Sequence, residues 1–310
     1  MIGMDSWVNI AVRFALYLDL MLLFGLPLFG LYALRRHERH STDFVRPLRS
    51  LLVALVAIGI ALSVGSMIVM GKAMTGASDY ASIGAHAFSM LISGTAFGAA
   101  WLARIAALAA SLAAALALAR RPTTSLAVAT VSGGIALVTL AWGGHGVMDE
   151  GDKGVLHLTS DVFHLIAAAG WVGALTAFGL LLRVDHSTPQ ARIALLSRTL
   201  NSFAVVGAMI VVTLVATGLI NYGMIVGPTL RGLFTTSYGQ LLVVKLALFG
   251  LMLGLAAANR YHLAPLLEIR VQSGDFQGAI SALRRSLFIE ANAATAILAV
   301  VAALGTLSPE

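Results

Sequence analysis

The sequence predicts an all-α, polytopic membrane protein of about eight spanning helices, and three observations predict it. Apolar residues make up 59% of the 310, charged residues only 11%, and the mean hydropathy is +0.90. A surface that poor in charge is solvated by lipid, not water. Apolar runs long enough to cross a ~30 Å hydrocarbon core at ~1.5 Å per residue recur along the whole chain. Arginines cluster in every second gap between those runs, as cytoplasmic loops require.

The runs fall near 10–34, 50–71, 90–119, 124–143, 156–182, 199–222, 237–259 and 286–306. The first, with its apolar stretch from Phe14 to Leu34, is too long for a cleaved signal peptide and ends at Arg35-Arg36 without a small-residue cleavage site. It reads as the first spanning helix. The third run is overlong for one crossing, and its start, from Ile83 to about Gly94, is a candidate tilted or interfacial segment.

Orientation follows from the first loop, which holds Arg35, Arg36, Arg39, Arg46 and Arg49 and is therefore placed in the cytoplasm. Arg120, Arg121, Arg183, Arg192, Arg198, Arg260, Arg270, Arg284 and Arg285 then lie inside as well, fourteen of the twenty cations in all. The outer loops keep Lys72, Lys153 and Arg231, and both termini face the periplasm. The net charge of +6 thus belongs to membrane topology, and no nucleic acid partner is implied.

An internal repeat appears at an offset of 141 residues: Thr95, Phe97, Gly98 and Arg104 match Thr236, Tyr238, Gly239 and Lys245. Each copy leads from an outer loop into a helix ending at an arginine, Arg120 or Arg260. The chain accordingly divides into a first four-helix repeat over 1–150 and a second over 151–310, and an even number of helices per unit makes the repeats parallel.

With no cysteine, disulfides and thiolate metal sites are excluded, so any soft-metal chemistry must use Met and His. His86, His145, His157 and His164 fall on or near the outer side, together with Met67, Met70, Met74, Met90, Met148 and Met224. His157, Asp161 and His164 stand at i, i+4 and i+7 on one helical face. A rise of ~10 Å separates the two imidazoles, so they form a two-step ladder, not one site. Ionisable groups at membrane depth ordinarily face a cavity or a partner. The bland reading is a helix end whose polar groups bond neighbouring backbone.

Met67, Met70 and Met74 repeat that spacing at the outer end of the second helix, as a soft-metal strip or as ordinary apolar filling. The loop from Gly143 to Glu150, carrying His145 and Met148, is a candidate capture loop or a solvated turn. Arg104 and Lys245 lie about ten ångströms below the outer surface by helix rise and need partners there. Asp19 is the candidate partner of Arg104 and Asp161 that of Lys245, in structural or gating roles. Glu290 is expected to face Asn259 or Arg260. Gly65 to Lys72 lacks the spacing and the hydroxyl residue of a phosphate loop, so no nucleotide is expected. Nor does any Ser/His/Asp or His-Glu-x-x-His pattern support an enzyme.

Several segments resemble those of one family. Asn201-Ser202-Phe203-Ala204, Ala216-Thr217-Gly218-Leu219-Ile220-Asn221, Thr236-Ser237-Tyr238-Gly239 through Lys245, Ala258-Asn259-Arg260, and the run from His157 through His164 to Gly170-Trp171-Val172-Gly173 are similar to segments of the copper resistance protein D family of bacterial inner-membrane proteins. The resemblance implies eight transmembrane helices and movement of copper between periplasm and cytoplasm, generally described as uptake. It also implies a separate periplasmic copper-binding donor, since members are often encoded with or fused to copper resistance protein C.

The expected path begins with capture by His145, His86 and the Met67, Met70, Met74 strip and continues onto His157, Asp161 and His164, each site weak enough to release copper as Cu(I) or Cu(II). Inside, only His262 and polar Asn221 or Asn259 offer ligands. The principal alternative is a b-type haem held between His164 and a histidine such as His86. A non-transporting copper sensor or assembly partner is the third.

Overall fold

The computed structural model describes residues 4–144, 151–183, 189–227, 232–263 and 276–307. Eight helices among these are long and apolar enough to cross a membrane, and no strand is present among the described residues. The chain is a multi-pass membrane protein. The spanning helices are α1 (Met4–Ala33), α3 (Thr42–Thr75), α5 (Ala96–Ala117), α6 (Pro122–Val138), α7 (Gly151–Leu181), α8 (Pro189–Ile225), α10 (Ser237–Ala258) and α11 (Phe276–Leu304). Short α2 (Arg36–Arg39), α4 (Ala85–Gly94) and α9 (Gly232–Thr235) connect them. A 3-10 turn, Thr139–Gly143, extends α6, and a π turn, Asn259–Leu263, extends α10.

The overlong third run breaks where its composition suggested. Thr95 leaves the helical region at φ −131°, ψ 149°, ends α4 and caps α5 by accepting a hydrogen bond from the Gly98 amide at 2.9 Å. Thr236 does the same for α10, accepting from the Gly239 amide at 3.0 Å. Each threonine hydroxyl also donates backwards, to the carbonyl of Leu91 or of Gly232. A Cβ on Gly98 or Gly239 would collide with those same carbonyls. The Thr-x-aromatic-Gly motif is therefore a helix-start device used twice.

Helices α1 and α7 form the centre. They cross at Gly25 and Gly173, where the backbones touch and a Cβ on either glycine would overlap the other's main chain. Below that crossing Phe29 and Phe178 meet edge to face at 5.1 Å, and Phe203 of α8 meets Phe178 edge to face at 5.8 Å. Around α1 the first set is closely knit: α5 packs on both α3 and α6, joined by Trp101 Nε1 donating to the Ser63 carbonyl at 2.8 Å and by a Ser111–Ser132 hydroxyl pair at 2.7 Å. The second set is looser. Helix α8 packs on α7 and α10 packs on α11, but α8 and α10 barely meet.

The loops rich in arginine, following α1, α5 and α7, lie at the opposite ends of the helices from the two termini, as an even number of crossings demands. At that arginine-rich end Asn259 donates to the buried Glu290 carboxylate, while Ser286 donates to the Asn259 carbonyl at 2.6 Å. Of the two expected neighbours of Glu290, Asn259 is the one that bonds it.

Candidate functional site

Helix α7 carries Asp161 and His164 into a cavity of about 170 Å³ near the termini-bearing end of the molecule. Asn221 and Gly218 of α8, Tyr238 and Lys245 of α10, and Arg13 and Tyr17 of α1 line it as well. Spacing of three along α7 sets Asp161 and His164 one turn apart on the same face. The neighbours from α8 reach them because Ser160 and His164 are anchored there, Ser160 donating to the Thr217 carbonyl at 3.2 Å.

The orientation of His164 follows from a short chain of hydrogen bonds. The Thr217 hydroxyl donates its single proton to the Thr213 carbonyl at 2.6 Å, so it accepts from His164, whose Nδ1 lies 2.8 Å away. Network assignment thus puts the ring proton on Nδ1 and leaves the Nε2 lone pair for a ligand. This is the arrangement by which proteins orient a metal-binding imidazole from behind. One turn away, Asn221 Nδ2 donates to Asp161 Oδ1 at 2.7 Å and holds that carboxylate in place.

His157 does not join them. It is fully buried at 1% exposure and is not among the residues lining the cavity. The shared face of the three residues is real, but α7 begins at Gly151 and His157 is packed within its first two turns. Lys245 lines the cavity with Asp161, yet no direct ion pair joins the two, and Lys245 makes no hydrogen bond to any described residue.

The expected pairing of Asp19 with Arg104 is not formed. Arg104, at 2% exposure, donates from Nε to the Thr139 hydroxyl at 2.8 Å and from Nη2 to the Thr139 carbonyl. The 3-10 turn at the end of α6 brings that threonine within reach, and Asp19 makes no bond to Arg104. Its carboxylate points at Gly59 of α3, where a Cβ would come within 2.6 Å of Oδ2, and neither oxygen has a hydrogen bond among the described residues.

The methionine strip is divided by depth. Met67 is buried, Met74 is 60% exposed next to the end of α3, and Met70 lines a second cavity of about 100 Å³ with Asn9, Arg13, Tyr17, Phe97 and Arg104. Arg13, Tyr17 and Leu140 border both cavities, so the one holding Met70 and the one holding His164 lie on two sides of a common wall. His86 is exposed on α4, which packs on α3 and α5, whereas His164 faces Thr217 on α8; no pair of imidazoles for a haem is made by these two. His145 lies outside the described residues, as does Met148. Among the described residues no three His, Asp or Glu side chains group closely enough to hold an ion, so any ion here would rest on fewer such ligands, with Asn, Met or backbone completing its shell.

Arg13, Thr217 and Tyr238 were not expected at a site, and Asn221 was expected on the arginine-rich side. Helix α8 runs back toward the termini-bearing end, which carries Asn221 to Asp161. Alternation of spans alone could have placed it there.

Comparison with known proteins agrees with this architecture. Residues 4–155 match the copper resistance protein D-like N-terminal domain, and residues 197–304 match copper resistance protein D. The chain is 48% identical to copper resistance protein D of Pseudomonas syringae pv. tomato over 99% of its own length and 98% of the relative's. It is 28% identical to inner membrane protein YebZ of Escherichia coli K12, covering 86% of this chain and 87% of that one. A 35% match to copper transport protein CutJ of Bacillus subtilis covers 40% of this chain and 22% of the relative. No solved structure matches significantly. The chain belongs to the copper resistance protein D family.

Proposed function

We propose that this protein takes copper at the periplasmic face of the bacterial inner membrane and passes it inward through the cavity lined by Asp161 and His164. The observation that carries the proposal is His164 itself, with Nδ1 committed to Thr217 and Nε2 left for a ligand beside a fixed carboxylate. Relatives named for copper resistance and copper transport supply the substrate. The excess of arginine at the other end supplies the orientation.

In this reading Met70 is the preceding station. Copper captured from a periplasmic donor protein by His86, His145 or the outer methionines reaches the cavity at Met70, then crosses the Arg13–Tyr17–Leu140 wall to Asp161 and His164. Thioether followed by imidazole and carboxylate suits an ion handed on as Cu(I) or Cu(II). Arg13 and Lys245 keep the ion weakly held, because two cations face one carboxylate in the same space. Weak holding is what passage needs. The two four-helix sets are proposed as parallel repeats, on the strength of the doubled Thr-x-aromatic-Gly helix start.

The test is cellular copper content in a host lacking its own copper importers. Expression of the wild-type chain should raise it, and His164→Ala and Asp161→Asn, present in the membrane at equal amounts, should not. Equal accumulation with both variants would end this assignment.

A further inference from the structure

Continuous with the polar cavity is a second, larger one of about 390 Å³ between α8 and α10, whose walls are almost wholly apolar. His164, Gly218, Tyr222, Leu242 and Lys245 border both spaces, so the polar cavity and the apolar one form a head and a tail. From there the apolar part runs past Trp171 and Phe249 to Met252. Because α8 and α10 barely meet, the gap between them is left without a packed helix wall on the side of the bilayer. Val215, Leu219 and Leu246 on its rim are each at least 44% exposed.

Charge at the head is unbalanced toward cations, with Lys245 and Arg13 facing Asp161 there. Lys245 makes no hydrogen bond to any described residue, and Arg13 donates from Nη1 to the Gly143 carbonyl at 3.2 Å while its buried Nε has no acceptor among the described residues. Asp161, the one carboxylate among the described residues that line this space, is already held by Asn221. An unmatched cation at membrane depth is costly, and an anion supplied from outside the chain would offset it. A bare cation would not.

We infer that the groove between α8 and α10 binds an anionic phospholipid of the outer leaflet, its acidic head on Lys245 and Arg13 and an acyl chain in the apolar cavity. The lipid completes the charge balance that the chain leaves open and closes the gap between two helices that do not pack. The choice of leaflet rests on the proposed orientation, and the lipid head would share Lys245 and Arg13 with the copper path. The experiment reads lipid with a chelator present, so its failure and that of the copper reading are distinguishable.

The experiment uses the full-length protein, delipidated in detergent with a chelator present, and measures retained lipid by native mass spectrometry. Dioleoylphosphatidylglycerol and dioleoylphosphatidylcholine are offered in equal amounts. Wild type should retain the anionic lipid about fivefold over the zwitterionic one, as expected for one lysine meeting an acidic head. Lys245→Gln should bring that ratio to near one with total lipid little changed, and Val215→Trp, which fills the gap without touching the cation, should lower retention of both lipids. Glycerophosphate, the head without its chains, should not compete. An unchanged ratio in Lys245→Gln, full retention in Val215→Trp, competition by glycerophosphate, or a lipid-free dimer that covers the gap would each overturn the inference.

Discussion

Helices α5 and α10 begin identically and end in opposite surroundings. Both start at a threonine cap followed by a glycine pressed on a carbonyl, and both carry a cation at the same distance from that cap. Arg104 on α5 is buried and spends its hydrogen bonds on Thr139. Lys245 on α10 faces a cavity with its ammonium unmatched. The difference lies in the neighbours, since α3 closes against α5 whereas α8 leaves α10 exposed. The first surroundings are closely packed, and the second leave a space beside His164.

That contrast can be broken at several points, and the largest effect belongs to the shared centre. Gly173→Val places a side chain into the main chain of α1, with no flexible neighbour to yield, and should cost about 3 kcal/mol or prevent folding altogether. Thermal unfolding in detergent would show it. Arg104→Met should cost about 1–3 kcal/mol, because it strands the buried Thr139 groups. The matching Lys245→Met should not destabilise, since it strands no hydrogen-bond partner and removes an unmatched cation. Equal losses in the pair would mean that the second set is as tightly built as the first.

A finer probe is Thr217→Val, which removes the group orienting His164 while keeping its volume. Copper handling should fall about tenfold, the lower end of what such supporting groups are worth, with the fold unchanged. An effect on unfolding alone would make the threonine structural.

Much of the fold was legible in the sequence because membrane crossing imposes a length and a charge rule that each run satisfies separately. The break at Thr95 was visible as an excess of length. The site was legible only in part. Asp161 and His164 could be placed on one face from their spacing, but the burial of His157 off the cavity lining depends on the helices packed around it, and the pairing of Arg104 with Thr139 in place of Asp19 depends on the 3-10 turn that presents Thr139. Those are facts about neighbouring helices. Periodicity along one helix does not contain them, which is also why Arg13 and Tyr238 went unseen.

The most direct measurement is copper uptake into proteoliposomes containing purified wild type, His164→Ala or His157→Ala, each checked for intact folding. The cavity geometry predicts that His164→Ala abolishes uptake while His157→Ala, one turn from Asp161 but not lining the cavity, keeps most of it. Loss of uptake with His157→Ala and its survival with His164→Ala would contradict the account.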